Sequence, residues 1–138
     1  MFKKVLVALD ESVHAKPALD TAIMVSKGFG AEVRVVHVLE TGFVGRAGAI
    51  NLESADEARG VVNGALTTLE AAGLKATGIV RASMHGRLAA EINDEAVESG
   101  ADVVVVGTRG LSEFEGIFVG STSHRLLHLS KVPVIVVP

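Results

Sequence analysis

Apolar residues fall in short uninterrupted runs, and the first, Val5-Leu6-Val7-Ala8-Leu9, stops abruptly at Asp10. A run of that length without polar alternation predicts a strand over 5–9 that is covered on both faces, as in a parallel sheet. From Ala15 the period changes. Ala15, Ala18, Leu19, Ala22 and Ile23 recur at helical spacing, with Ser12 placed to cap the helix and Gly28 and Gly30 to stop it. A second strand is predicted over 33–39, and Ala55, Ala58, Val61, Val62, Ala65, Leu66 and Leu69 mark an amphipathic helix closed by Gly73. Beyond it the pattern predicts a third strand over 74–82, a helix over 87–98 ended by Gly100, a fourth strand over 102–106, a short helix starting near Gly120, and a fifth strand over 132–137. Residues 40–53 carry three glycines and little periodicity, so they read as a mobile loop able to shape a site at the edge of the sheet.

The order β-α-β-α-β-α-β-α-β predicts an α/β fold: a single three-layer domain over residues 1–138, with an open five-stranded parallel sheet and helices on both faces. Ligands of such sheets lie beyond the carboxyl ends of the strands, where the strand order reverses. For the order 3-2-1-4-5 the reversal falls between the first and fourth strands. The residues leaving those two strands are Asp10 and Gly107.

Composition narrows the classes. Hydrophobic residues make up 49% of the chain, but their runs are far shorter than the roughly twenty residues that span a bilayer. Met1-Phe2-Lys3-Lys4 leads straight into the first strand without the features of a signal peptide, so a cytoplasmic protein with no membrane partner is expected. The lack of cysteine excludes disulfides, zinc–thiolate sites, iron–sulfur clusters and thiol nucleophiles. A net charge of −3, scattered along the chain, with no Trp or Tyr, argues against a nucleic-acid partner.

After the fourth strand come Gly107-Thr108-Arg109-Gly110, nine residues from Leu111 to Val119, and Gly120-Ser121-Thr122-Ser123 at the start of a helix. Glycine admits positive φ and lets an anion approach the backbone without a Cβ in the way. A helix start adds free amides, three hydroxyls and a favourable dipole for negative charge. The segment from Gly107 to Ser121 therefore reads as a cradle for phosphates. Turns and an ordinary helix cap are the plainer reading of the same residues, and the place after the fourth strand favours the cradle. Asp10 is either a helix cap or a ligand group, and Arg109 either a phosphate clamp or a solvated loop residue.

The Gly107-x2-Gly110-x9-Gly120-Ser121 motif, the opening Val5-Leu6-Val7-Ala8-Leu9-Asp10-Glu11-Ser12, the His37-Val38 pair and the closing Val132-Pro133-Val134-Ile135-Val136-Val137 together resemble the universal stress protein family, in its ATP-binding branch, over essentially the whole chain. The resemblance implies the strand order 3-2-1-4-5, bound ATP, often with magnesium or manganese, a homodimer joined largely through the last strand, and a role as a nucleotide-dependent sensor in a stress response that acts on a downstream partner protein. It places Ala8, Leu9, Asp10 and Val38 at the nucleoside, and Gly107, Arg109 and Gly110 along the ribose and first phosphates. Gly120, Ser121, Thr122 and Ser123 then receive the distal phosphates. Thr122 departs from the family pattern, which often has Val there.

Catalysis is less visible than binding. No lysine follows the glycines as in Gly-x4-Gly-Lys-[Ser/Thr], no Gly-x-Ser-x-Gly elbow appears, and beyond Arg109 no base or second charge clamp can be picked out. No catalytic residue is assigned. A slow ATPase, and a module preferring AMP or a cyclic nucleotide, are the alternatives. His124 and His128, four apart on the last helix, read as a solvent-facing or interface pair ahead of a metal chelate, and His37 as a satisfied buried histidine.

Overall fold

The computed structural model describes residues 1–10, 15–43, 49–51, 54–84, 86–107 and 121–138. Along them run β1 (Lys4–Leu9), α1 (Ala15–Phe29), β2 (Glu32–Phe43), β3 (Ala49–Asn51), α2 (Ala55–Ala71), β4 (Ala76–Met84), α3 (Leu88–Ser99), β5 (Val103–Gly107), α4 (Ser121–Leu129) and β6 (Val134–Val137). β1 lies parallel between β2 and β5, with Val7 opposite both Val35 and Val105; β4 flanks β2 and β6 flanks β5. The five parallel strands thus stand in the order β4-β2-β1-β5-β6, the expected 3-2-1-4-5 arrangement.

The 40–53 segment is not the irregular loop that its composition suggests. β2 continues to Phe43, and β3 folds back on it antiparallel, with Thr41 opposite Asn51 and Phe43 opposite Ala49. The physical reason is the length of β4, which supplies a ladder partner as far as Met84, opposite Thr41. Backbone pairing there outweighs the weak strand preference of the glycines. Residues 44–48 and 52–53 lie outside the described residues.

The helices begin and end where their chemistry directs. Ser54 caps α2, its hydroxyl oxygen accepting from the Glu57 N–H at 3.0 Å. Gly100 closes α3 at φ 72°, a left-handed turn that costs glycine little. Ser12, the expected cap of α1, lies outside the described residues.

Alternation along the strands sorts the core onto two faces. Val5, Val7, Val33, Val35, Val103 and Val105 pack with Ala18 and Ala22 of α1 and Val62 and Leu69 of α2. Leu6, Val36, Val104 and Val106 pack with Ile92 of α3 and Leu126 of α4. On the first face α2 approaches β4 so closely that a Cβ at Gly78 would overlap Val62 Cγ1 and stand 3.5 Å from Val35 Cβ. On the second, α3 is held also by charge. Glu95, 2% exposed, places one oxygen 2.8 Å from Arg34 Nε and the other 2.9 Å from Arg81 Nη1, while Arg81 also reaches Glu91 and Glu98. These carboxylates hold the Arg81 guanidinium pKa above its usual value, the Glu91 hydrogen bond foremost.

Candidate functional site

The chain crosses from β1 through α1 to β2 on one side of the sheet, and from β5 through α4 to β6 on the other. β1 and β5 are neighbours, with Ala8 opposite Val106, so Asp10 and Gly107 leave their strands side by side. Between diverging crossovers of this kind a crevice opens at the carboxyl edge.

The sequence-predicted residues divide along the limits of the described chain. Ala8 and Val38 share the α3/α4 face, Val38 two residues beyond the register partner of Ala8 and 8% exposed. Leu9, 7% exposed, points to the opposite face, and Asp10 is half-buried at the exit of β1. Gly107 ends β5 opposite Val137. Ser121 opens α4, Thr122 is half-buried, and Ser123 has no exposure at all. Arg109, Gly110 and Gly120 lie outside the described residues.

Among the described residues, contacts by Ser123 and His37 brace this corner. The Ser123 hydroxyl donates to the Gly107 carbonyl at 3.3 Å, which sets the first turn of α4 beside the exit of β5. The opening amides of a helix have no partner inside it, and they bring the positive end of the dipole to that point. His37, 3% exposed and paired in register with Leu9, has Nδ1 2.6 Å from the Leu9 carbonyl. A carbonyl only accepts, so Nδ1 carries the proton. His37 is thus the buried, bonded histidine that the sequence suggests. Both contacts escape a reading by motif. Their only sequence signal is a polar residue within an apolar strand and a third hydroxyl just inside a helix.

His124 and His128 are exposed and touch edge to face, ring centres 4.8 Å apart. Among the described residues no group of three or more His, Cys, Asp or Glu is gathered to hold a metal ion. No described helix is long and apolar enough to cross a membrane.

The opposite rim, at the amino ends of the strands, has a cavity of about 690 Å³ lined by Lys3, Lys4, Glu32, Lys75 and Asp102 among others. Its charges are compensated locally. Lys4 Nζ donates to the Ser99 carbonyl at the end of α3 and lies 3.2 Å from Glu32, whose carboxyl it holds below the usual range. Asp102 accepts from the Lys3 and Lys4 amides at 2.8 and 3.0 Å, and those bonds lower its pKa too. The rim reads as a foundation that satisfies helix ends and strand starts.

The family model for the universal stress protein family matches residues 1–138. A universal stress protein, YxiE of Bacillus subtilis (strain 168), is 35% identical over 153 aligned residues, covering 99% of both chains. A solved universal stress protein described in complex with cAMP is 25% identical with a TM-score of 0.70, covering 99% of this chain and 96% of its own. Another, from Archaeoglobus fulgidus and described in complex with dAMP, shares the fold at 23% identity with a TM-score of 0.76, covering 99% of this chain and 98% of its own. With the strand order, the switch and these whole-length matches in agreement, the chain belongs to the universal stress protein family.

Proposed function

We propose that the chain binds an adenine nucleotide, ATP in the first instance, at the carboxyl edge between β1 and β5, and that occupancy of this site is read by a partner protein in a cytoplasmic stress response. The observation that carries the reading is the meeting of three features at one edge: the Asp10 exit, the Gly107 exit and the α4 amino terminus that Ser123 holds against Gly107. The family neighbours described with cAMP and dAMP support a nucleotide there. Ala8, Leu9, Asp10 and Val38 would form the nucleoside end. Gly107, Arg109 and Gly110 would follow the ribose and first phosphates, and Gly120, Ser121, Thr122 and Ser123 the distal ones. The oxygen donors of this set, the Asp10 carboxylate and the Ser121 and Thr122 hydroxyls, suit a magnesium or manganese ion that neutralises phosphate charge. The same two neighbours favour a second reading, in which AMP or a cyclic nucleotide is preferred to ATP.

A chain with neither Trp nor Tyr absorbs little in the near ultraviolet, so co-purified nucleotide would dominate its spectrum, and extraction followed by mass spectrometry identifies it. Gly120→Glu brings bulk and negative charge to the proposed distal-phosphate position. A folded variant with unaltered ATP affinity would falsify that placement.

We also propose that a second copy pairs along β6, which closes the described sheet on that side. The Pro133 carbonyl accepts from the Val104 N–H at 2.9 Å. By strand alternation Ile135 then addresses β5, whereas the backbone groups of Val134 and Val136 face the open edge. Four partly exposed aliphatic residues on such an edge suit strand pairing with another chain.

A further inference from the structure

The last carbonyls of the two strands at the switch are each taken up by a buried side chain from a neighbouring element. On β1 the Leu9 carbonyl accepts from His37 of β2 at 2.6 Å; on β5 the Gly107 carbonyl accepts from Ser123 of α4 at 3.3 Å. The donors are 3% and 0% exposed. Because Ala8 stands opposite Val106, Leu9 and Gly107 are level with each other in the sheet. Each is the residue at which the chain leaves its strand toward the proposed nucleotide site. Buried backbone carbonyls are nearly always paired, and here a side chain from a neighbouring element supplies a bond to each.

We infer that His37 and Ser123 are positioning residues, a pair of clasps that fix the direction in which the chain leaves β1 and β5 and so hold both halves of the nucleotide site in register before any ligand arrives. The inference rests on the nucleotide reading of that site. It changes the part expected of Ser123. A serine hydroxyl has one proton, and a phosphate oxygen accepts but cannot donate. While that proton is given to the Gly107 carbonyl it is not available to a phosphate. Ser123 acts on the ligand through Gly107 and α4.

Ser123→Ala deletes the donor and Ser123→Thr keeps it; His37→Leu deletes the other donor, and His37→Asn places an amide N–H near the Nδ1 position. Two measurements are made on each folded variant: amide hydrogen exchange of the nucleotide-free protein at Asp10, Gly107 and residues 121–124, and AMP and ATP affinity by calorimetry. Ser123→Ala should speed exchange at Gly107 and the start of α4, and His37→Leu at Asp10. Each should weaken nucleotide binding by roughly fivefold to tenfold, the worth of one hydrogen bond, with Thr and Asn restoring both readouts. Weaker binding with unchanged exchange in Ser123→Ala would make Ser123 a direct phosphate donor and overturn the inference. Faster exchange with unchanged affinity would reduce the clasps to structural contacts and overturn it equally. A native chain that binds neither nucleotide refutes the proposed function, and the exchange comparison alone then judges whether the clasps hold the strand exits.

Discussion

Replacing Glu95 by glutamine removes one charge from the middle of the ion cluster under α3 while leaving its shape nearly intact. The native carboxylate serves two guanidinium groups at 2.8 and 2.9 Å, with its side chain 3% exposed. A glutamine carbonyl can keep one of these contacts, but its NH2 must then face the other arginine, donor against donor. Breaking one partner of a buried ion pair costs about 3–5 kcal/mol. Arg34 and Arg81 retain 23% and 17% exposure, so water recovers part of that, and a loss of about 2–3 kcal/mol is expected. Glu98 supplies the control. It lies 2.9 Å from the same Arg81 nitrogen but is 66% exposed, so Glu98→Gln should cost less than about 1 kcal/mol. At roughly 3 °C per kcal/mol for a chain of this size, Glu95→Gln should melt about 6–9 °C below the native protein and Glu98→Gln within about 3 °C of it. With no Trp or Tyr to report, far-ultraviolet circular dichroism or calorimetry is the assay. Equal shifts for the two variants would refute the argument that burial decides the worth of these pairs.

Gly78→Ala should destabilise by about 1–3 kcal/mol through overlap with Val62, and adding Val62→Ala should return part of the loss, so thermal melts that are strictly additive would contradict the close approach of α2 to β4. Asp102→Asn should cost about 1 kcal/mol at neutral pH by weakening the bonds from the Lys3 and Lys4 amides. Because the folded pKa of Asp102 is lowered, its contribution is complete above the ordinary carboxylate value and is lost as pH falls through the folded one. The stability gap between native and variant should therefore close in acid, and a gap that widens there contradicts the assignment. Val136→Pro removes a backbone N–H that faces the open edge of β6 without touching the β5 ladder. Light scattering should find the native chain dimeric and the variant monomeric; a native monomer, or a variant that still pairs, counts against the edge interface.

Much of the fold was legible because buried parallel strands leave a plain trace: Val5 to Leu9 and Val103 to Val106 are unbroken apolar runs, and Gly30, Gly73 and Gly100 stop helices at positive φ where their sequence positions suggest. The extension of β2 and the β3 strand were not, since Glu40-Thr41-Gly42 has the composition of a turn and becomes a strand only because β4 is there to pair with it. The ion cluster was also invisible. Arg34 and Arg81 break apolar strands, and Glu91, Glu95 and Glu98 repeat along one helix, but only the fold brings the two sets together. Of the candidate site, the motif pointed to Gly107 and the start of α4, which the described residues bring together at the switch. It carried no information on where a hydroxyl or an imidazole spends its hydrogen bond, and that is what distinguishes Ser123 and His37.

The central position of β1 also governs how the chain must assemble. Its ladder with β2 closes across a single α1 crossover, but its other edge waits for β5, a separation marked by the Lys3–Asp102 contact, 99 residues apart. Pairings across so long a stretch form late, because the entropy of closing the loop is lost before the contact returns anything. During synthesis the apolar edge of β1 therefore stays open until β5 has left the ribosome, and a chain stalled before that point presents Val5 to Leu9 as a template for other strands.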